Sequence, residues 1–221
     1  KSMAEFIRAR SSEKKQLRMK EIMDATDRLF QDQSYHGITL TTIAEALGWS
    51  RGNLYKYVTT KEEIFLEIIL EKQTDFFKDI EATFNDLNAL SDRDFSGLWT
   101  DVMSRHKGYI RYYSILATII ETNVTVERLA EFKKNIMSDT DVVMAIFTKY
   151  SQLSADDADS LYWAIMFHAS GLNNVCTMNP LVQEAMEIAG IPPYKKDFST
   201  DLSEFIALCL RGYKADVNYH P

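Results

Sequence analysis

The chain holds 221 residues, 46% of them hydrophobic, with only four Pro and eight Gly; it can bury a sizeable core but lacks the turn formers of a β-rich protein. No apolar run approaches the roughly 20 residues that span a bilayer and no signal-peptide core opens the sequence, so a cytoplasmic, all-α protein is expected. The net charge of −7 argues against a nucleic-acid partner only until the chain is divided: residues 1–61 carry 11 Lys and Arg against 7 Asp and Glu, or +4, and residues 62–221 carry 14 against 25, or −11.

A basic head on an acidic body suits a protein that meets DNA with one end. The first residues, to about Ser11, read as a loose arm containing Arg8 and Arg10. Ser12 is placed to cap a helix reaching about Gln33, with Ile22, Ala25, Leu29 and Phe30 as its apolar face. A loop from Asp32 to Gly37 follows, with Tyr35 as its packing residue.

The stretch from Ile38 to Val58 reads as two short helices joined by a tight turn. Leu40, Ile43, Ala44 and Leu47 fall on one face of the first, Thr39 caps it, and Ile38 can staple onto Ile43. Gly48 ends it in a left-handed cap, and Ser50 caps the second helix with Trp49 and Leu54 in the same staple relation. This is the layout of a helix-turn-helix. The second helix has few apolar anchors, chiefly Leu54 and Val58. Its other side chains are Arg51, Asn53, Tyr55, Lys56 and Tyr57, a set suited to phosphates and base edges. With Leu54 inward, Gly52 and Lys56 face outward, Asn53 and Tyr55 sideways, and Arg51 and Tyr57 lie nearer the core. Gly52, without a side chain, permits close backbone approach, or is a tolerated cost of about 1 kcal/mol in a short helix.

Thr60 and Glu63 make a capping box for the next helix. Lys61 lies at its first position, where the dipole does not favour a cation, so a phosphate is its expected partner. Ile64, Phe65, Ile68, Ile69, Phe76, Ile80, Phe84 and Leu87 carry this helix to about Asn88. Further helices are expected over about 95–107, 109–122, 126–150 and 155–177, with a short amphipathic piece over 181–189 and a last helix over 198–213. The part from Leu161 to Cys176 is apolar nearly all round and must be covered on both sides.

Trp99, Tyr109, Tyr113, Phe147, Tyr150 and Phe167 form either plain core or an apolar pocket, with His106 and His168 set among them. The acidic body would favour an aromatic or lipophilic cation in such a pocket. Cys176 and Cys209 fit no metal spacing and read as small buried hydrophobes; a redox switch between them is the lesser reading. No hydrolase, metalloprotease or phosphate-loop motif is present, so no enzyme, metal or cofactor is expected.

The Ile22–Phe30 helix, the run from Thr39 to Ser50, Leu54-Tyr55 with Tyr57, and Thr60-Lys61-Glu62-Glu63-Ile64 together resemble the N-terminal domain of TetR-type (tetracycline-repressor-like) transcriptional regulators. The resemblance implies a helix-turn-helix domain over 1–60 with its arm, a connecting helix over 61–88, and a ligand-binding and dimerisation domain over 89–221. It places Thr39, Thr41, Thr42 and Lys61 on phosphates, Arg51 and Asn53 on bases, and Tyr55, Lys56 and Tyr57 on backbone and sugar edges. Where the family often has His-Phe or Tyr-Phe this chain has Tyr57-Val58. The family's last two long helices pair with the partner's, which points to Leu161, Ile165, His168 and Leu172 on one helix and Leu202, Phe205, Ile206 and Cys209 on the other. A dimer on a palindromic double-stranded operator, released by a small-molecule inducer that tilts the connecting helix, is the implied mechanism. The alternative is a protein-binding module of the same fold that has lost DNA binding.

Overall fold

The computed structural model describes residues 3–85, 87–137, 140–193 and 195–216, the first ten of these by backbone alone. Among them there are helices and no strand. In chain order they are α1 (Met3–Asp32), α2 (Leu40–Leu47), α3 (Arg51–Leu54), α4 (Lys61–Phe84), α5 (Asp92–Arg105), α6 (Lys107–Ile115), α7 (Val126–Ile136), α8 (Thr140–Ser151), α9 (Ala155–Cys176), α10 (Pro180–Ile188) and α11 (Phe198–Asp216). The chain divides into two compact units: residues 1–71 with 119–132, and residues 72–118 with 133–221.

In the first unit α1 packs on α2, and α2 on α3. Ile22, Ile38, Ile43, Ile64 and Phe65 are fully excluded from solvent, and Phe30 and Tyr35 set their rings edge-on against Phe65 at 5.2 and 5.4 Å. Ile38 and Ile43, the expected staple, are both in this core. The described backbone is helical from Met3 on, so residues 3–11 are not a loose arm and Ser12 lies within the helix rather than at its start. The side chains of Arg8 and Arg10 lie outside the described residues. A charged residue run such as Ser11-Ser12-Glu13-Lys14 carries no breaker, and nothing in it stops a helix from continuing upstream.

In the second unit α9 is the central helix, with α6, α8 and α11 packed on it and α11 packed also on α5. Phe84, Phe95, Trp99, Phe147 and Tyr162 fill its interior; Trp99 stands edge-on to Phe147 at 4.8 Å and stacks on Phe95 at 5.9 Å. The Tyr150 hydroxyl lies 2.6 and 2.7 Å from the carbonyls of Phe84, the last residue of α4, and of Leu87 just beyond it, and shares its one proton between them. Several boundaries differ from the sequence reading: α4 stops at Phe84 rather than about Asn88, and the helix expected over 109–122 is α-helical only to Ile115 and goes on as a π-helical turn, Leu116–Ile120. Ser91 caps α5 by accepting from the Asp94 N–H, so that helix starts three residues early. The expected helix over 126–150 is two, α7 ending at Ile136 and α8 beginning at Thr140.

Candidate nucleic-acid interface

Helix α2 is closed at its start by a reciprocal box of two threonines. The Thr39 Oγ1 accepts from the Thr42 N–H at 3.1 Å; the Thr42 Oγ1 accepts from the Thr39 N–H and donates to the Thr39 carbonyl, both at 2.9 Å. Thr42 thus fills the place that Glu or Gln usually takes. Its one hydroxyl proton is committed to the helix, whereas the Thr39 hydroxyl donates only at 3.5 Å, to the Thr42 Oγ1, a long contact that an outside acceptor can displace. Gly48, at φ +66°, closes the helix in the left-handed conformation that side-chain-bearing residues avoid.

Ser50 then accepts from the Asn53 N–H at 3.2 Å and starts α3, which is a single turn, Arg51–Leu54. Tighter turns carry the chain on through Tyr57, whose N–H reaches the Leu54 carbonyl at 2.9 Å. Arg51, Gly52, Tyr55 and Lys56 are exposed, Thr41, Asn53 and Tyr57 half-buried, and Leu54 and Val58 buried. The exposure of Arg51 corrects its placement near the core. It is the first residue of a one-turn helix, and no preceding turn covers its long side chain. Tyr57 packs at 5.8 Å on Trp49, whose other neighbour is the Arg18 guanidinium at 5.3 Å from the ring centre. Trp49 therefore braces the turn from outside the core, a contact between α1 and the turn that no local periodicity reveals.

The start of α4 is braced from the Tyr35 loop. The Lys61 ammonium donates to the Tyr35 and Ile38 carbonyls, each at 2.8 Å, and lies 3.7 Å from the centre of the Tyr35 ring. The Tyr35 hydroxyl hydrogen-bonds the buried Glu62 carboxylate, and burial, then this bond, raise the tyrosine's pKa. Burial lowers the pKa of Lys61. A lysine at a helix start is thus explained within the protein: two of its three donors hold the loop, and one remains. The capping box also differs in detail. Glu63 gives its N–H to the Thr60 Oγ1 at 3.3 Å, but its carboxylate reaches back to Thr59, accepting from the N–H at 2.9 Å and the hydroxyl at 2.6 Å.

In the second unit most of the aromatic candidates are packed against one another. Trp99, Tyr109, Phe147 and Tyr150 are buried, and Tyr113 is half-buried against Trp163. His106 lies 2.9 Å from the Asp79 carboxylate, which Arg105 also holds through two donors at 2.9 and 3.0 Å. The guanidinium, and then the imidazole, hold the Asp79 carboxyl below the usual aspartate range. Phe167 is 64% exposed and does not line an interior. Among the described residues, three buried side-chain polar atoms have no hydrogen-bond partner: Trp99 Nε1, Thr100 Oγ1 and Asn173 Oδ1.

The expected dimer residues also need correction. Leu161, Ile165, Leu202 and Ile206 are fully excluded from solvent within one chain, and Leu172 is buried too. They face neighbouring helices of the same unit. The side of α9 left bare carries Phe167, Gly171 and Val175, and α11 presents Leu208, 59% exposed, and half-buried Phe205, on which the His168 ring lies flat at 3.8 Å. Burial lowers the pKa of His168. Cys176 and Cys209 are half-buried free thiols, both pushed up in pKa by burial. Among the described residues no group of His, Cys, Asp and Glu could hold a metal, and no helix is long and apolar enough to cross a membrane.

An all-helical chain that sets a capped helix-turn-helix on its basic end has the build of a DNA-binding regulator. Comparison with known families agrees. A profile described as bacterial regulatory proteins, tetR family, matches residues 22–68, and one described as tetracyclin repressor-like, C-terminal domain, matches residues 70–217. The second covers well over half of the chain, and the protein belongs to the TetR family of transcriptional regulators. No curated protein matches it in sequence. Solved structures share the fold. A putative TetR-family regulator from Mesorhizobium loti superposes with a TM-score of 0.57 at 14% identity, over 91% of this chain and 96% of its own. FadR from Bacillus subtilis, in complex with stearoyl-CoA, gives 0.53 at 18% identity over 86% and 96%. PfmR from Thermus thermophilus gives 0.53 at 15% identity over 86% and 97%.

Proposed function

We propose that this protein is a ligand-responsive repressor that binds a palindromic operator as a homodimer and acts in the cytoplasm without catalysing a reaction. The observation that carries the DNA reading is the outward set on the recognition turn. Arg51, Gly52, Tyr55 and Lys56 stand exposed on a segment that Ser50, Leu54 and Val58 hold in place. Arg51 suits guanine and Asn53 adenine; Tyr55, Lys56, Tyr57 and the Thr39 and Thr41 hydroxyls suit phosphate and sugar. Lys61 has one donor left for a phosphate, so its main task is architectural. Residues 1–60 serve as the DNA-binding domain, 61–88 as the connecting helix and 89–221 as the body.

Support for a ligand comes from buried polar atoms of the body without a partner, Trp99 Nε1 and Thr100 Oγ1 on α5 and Asn173 Oδ1 on α9, each an unmet hydrogen-bonding capacity of the kind a ligand or a water fills. Helix α4 is the proposed link, since Lys61–Glu71 belongs to the first unit and the rest to the second. The two binding events are then reciprocally coupled. Dimerisation uses the bare face of α9 and α11 around Gly171. A Cβ built on Gly171 meets nothing within 4 Å, so a partner helix can come close there.

The test is a mobility shift with the gene's own upstream region at low salt, comparing the parent chain with Arg51→Ala/Lys56→Ala. Tight binding that the double variant loses is expected. Absence of binding by the parent, or equal binding by both, would point to the protein-binding alternative. Long-chain acyl-CoA and aromatic cations form the first ligand screen, read as release of the shifted band. Gly171→Leu, which the single chain accommodates, is expected to yield a folded monomer.

A further inference from the structure

The segment from the end of α9 through α10 turns its side chains in an order that packing alone does not explain. Over residues 174–193 only Cys176, Met178 and Met186 are half-buried; every other residue is exposed. Leu181 is 72% exposed and Ile188 82%, with Val182 also exposed. Burial of apolar area would turn those branched aliphatic groups inward first. The chain instead turns in its three sulfur-bearing residues. All three border one hollow of about 350 Å³, which Gln183, Glu187 and Lys196 also line.

Local structure brings them there. Residues two apart on a helix point about 200° apart around its axis, so Cys176 and Met178 would diverge if α9 continued. It stops at Cys176: Thr177 leaves the helical conformation, and its hydroxyl donates to the Asn173 carbonyl at 2.6 Å. Asn179 then caps α10 by accepting from the Leu181 N–H at 2.9 Å. On α10, Met186 shares a face with Gln183 and Glu187, and that face borders the hollow while Leu181 and Ile188 do not. The Cys176 Sγ lies 3.7 Å from the Lys196 carbonyl. The Lys196 ammonium is paired with Asp201 at 2.5 Å, which offsets its charge beside the sulfurs.

A thiol and two thioethers are soft donors. Such sets select Cu(I), whereas zinc sites draw on thiolate, imidazole and carboxylate, and hard cations on oxygen. Methionine chains are unbranched, with three rotatable bonds, and can swing their sulfurs onto a common centre. We infer that Cys176, Met178 and Met186 form a three-sulfur site for a soft monovalent cation, Cu(I). As the ion binds, the Cys176 S–H bond breaks, its proton passes to solvent, and the thiolate electron pair makes the Sγ–Cu bond. The thioethers add lone pairs, and copper stays Cu(I) throughout. Cysteine spacing does not reveal the site, because two of its three donors are methionines. A bound ion would tie α10 to the end of α9. The site stands apart from the DNA and dimer readings above.

The test is anaerobic competition of the full chain with the coloured Cu(I)–bicinchoninate complex, read as loss of its absorbance. The parent is expected to take up a single Cu(I) per chain. Cys209→Ser, whose thiol does not border the hollow, should match it. Cys176→Ser should abolish uptake. Met178→Leu/Met186→Leu keeps the apolar bulk and should weaken binding more than about tenfold, since even groups behind the ligands of a metal site carry that much. X-ray absorption at the copper edge of the loaded parent counts the ligands without any variant, and a shell of three sulfurs is expected. No uptake by the parent, uptake that Cys176→Ser retains or that Cys209→Ser loses, or parent-like affinity in the double methionine variant overturns the site. So does any copper shell other than three sulfurs.

Discussion

The two units divide their side chains in complementary ways. In the first, polar groups are the material that is shared out: Thr39, Thr42, Lys61 and Glu63 hold helix starts and loops, and what they leave exposed is Arg51, Tyr55 and Lys56. In the second, apolar groups are shared out: Leu161, Ile165, Leu202 and Ile206 fill the core, and what they leave exposed is Phe167, Val175, Leu208 and the face of α10. In both units the residues with the strongest sequence signal do the folding. The surface offered to a partner is the remainder.

The largest effect that sharpens this comparison lies in the body. Phe147→Ala should cost about 3–5 kcal/mol of stability, because a fully buried ring leaves a cavity among Phe95, Trp99 and Tyr162. Phe167→Ala, an aromatic on α9 as prominent in sequence, should stay within about 0.5 kcal/mol when measured by urea denaturation in a Gly171→Leu background. Equal losses would mean that the exposed stripe is not a separate surface.

The head offers the next contrast. Lys61→Met strands the Ile38 carbonyl, leaves the Tyr35 carbonyl only the Ile38 N–H at 3.3 Å, and should cost about 1–3 kcal/mol of thermal stability. Lys56→Ala should leave stability alone, yet flatten the salt dependence of operator binding by a slope of about 1. If the two lysines exchange these phenotypes, architecture and recognition have been assigned the wrong way round. Thr39→Ala should follow at about 1 kcal/mol, the usual worth of an N-cap, read from the shift in denaturation midpoint.

The smallest effect concerns pH. The folded-state pKa of Asp79 lies below its ordinary value of 3.8, first through Arg105. Its contribution is therefore complete above that value and is lost as pH falls through the lower folded-state value. Asp79→Asn should reduce stability near neutral pH and flatten its decline in acid, while leaving the alkaline limb unchanged. A parallel displacement at every pH would separate Asp79 from the acid response.

Much of the head was legible because its signals are local. Thr39, Gly48 and Ser50 sit where cap chemistry requires them, and Leu40, Ile43, Ala44 and Leu47 show the helical period over a few residues. The length of α3 was not legible, since Tyr55, Lys56 and Tyr57 suit a helix or a tight turn equally. Nor was the Tyr35–Glu62–Lys61 cluster: it joins a loop to a helix far along the chain, and no spacing rule links them. On α9 the failure has a different cause. When nearly every position is apolar, periodicity cannot tell which stripe meets the chain's own helices and which is left over.

The sequence by itself therefore determined the class of fold, the helix-turn-helix, its caps and the sign of charge at each end, because these depend on neighbours within one or two turns. Only the tertiary structure decided that Lys61 turns inward while Arg51 stays out. It alone decided that Leu161 and Ile165 are core while Phe167 and α10 are surface. A residue's burial depends on what other segments bring against it, and that is set by packing over long separations in the chain.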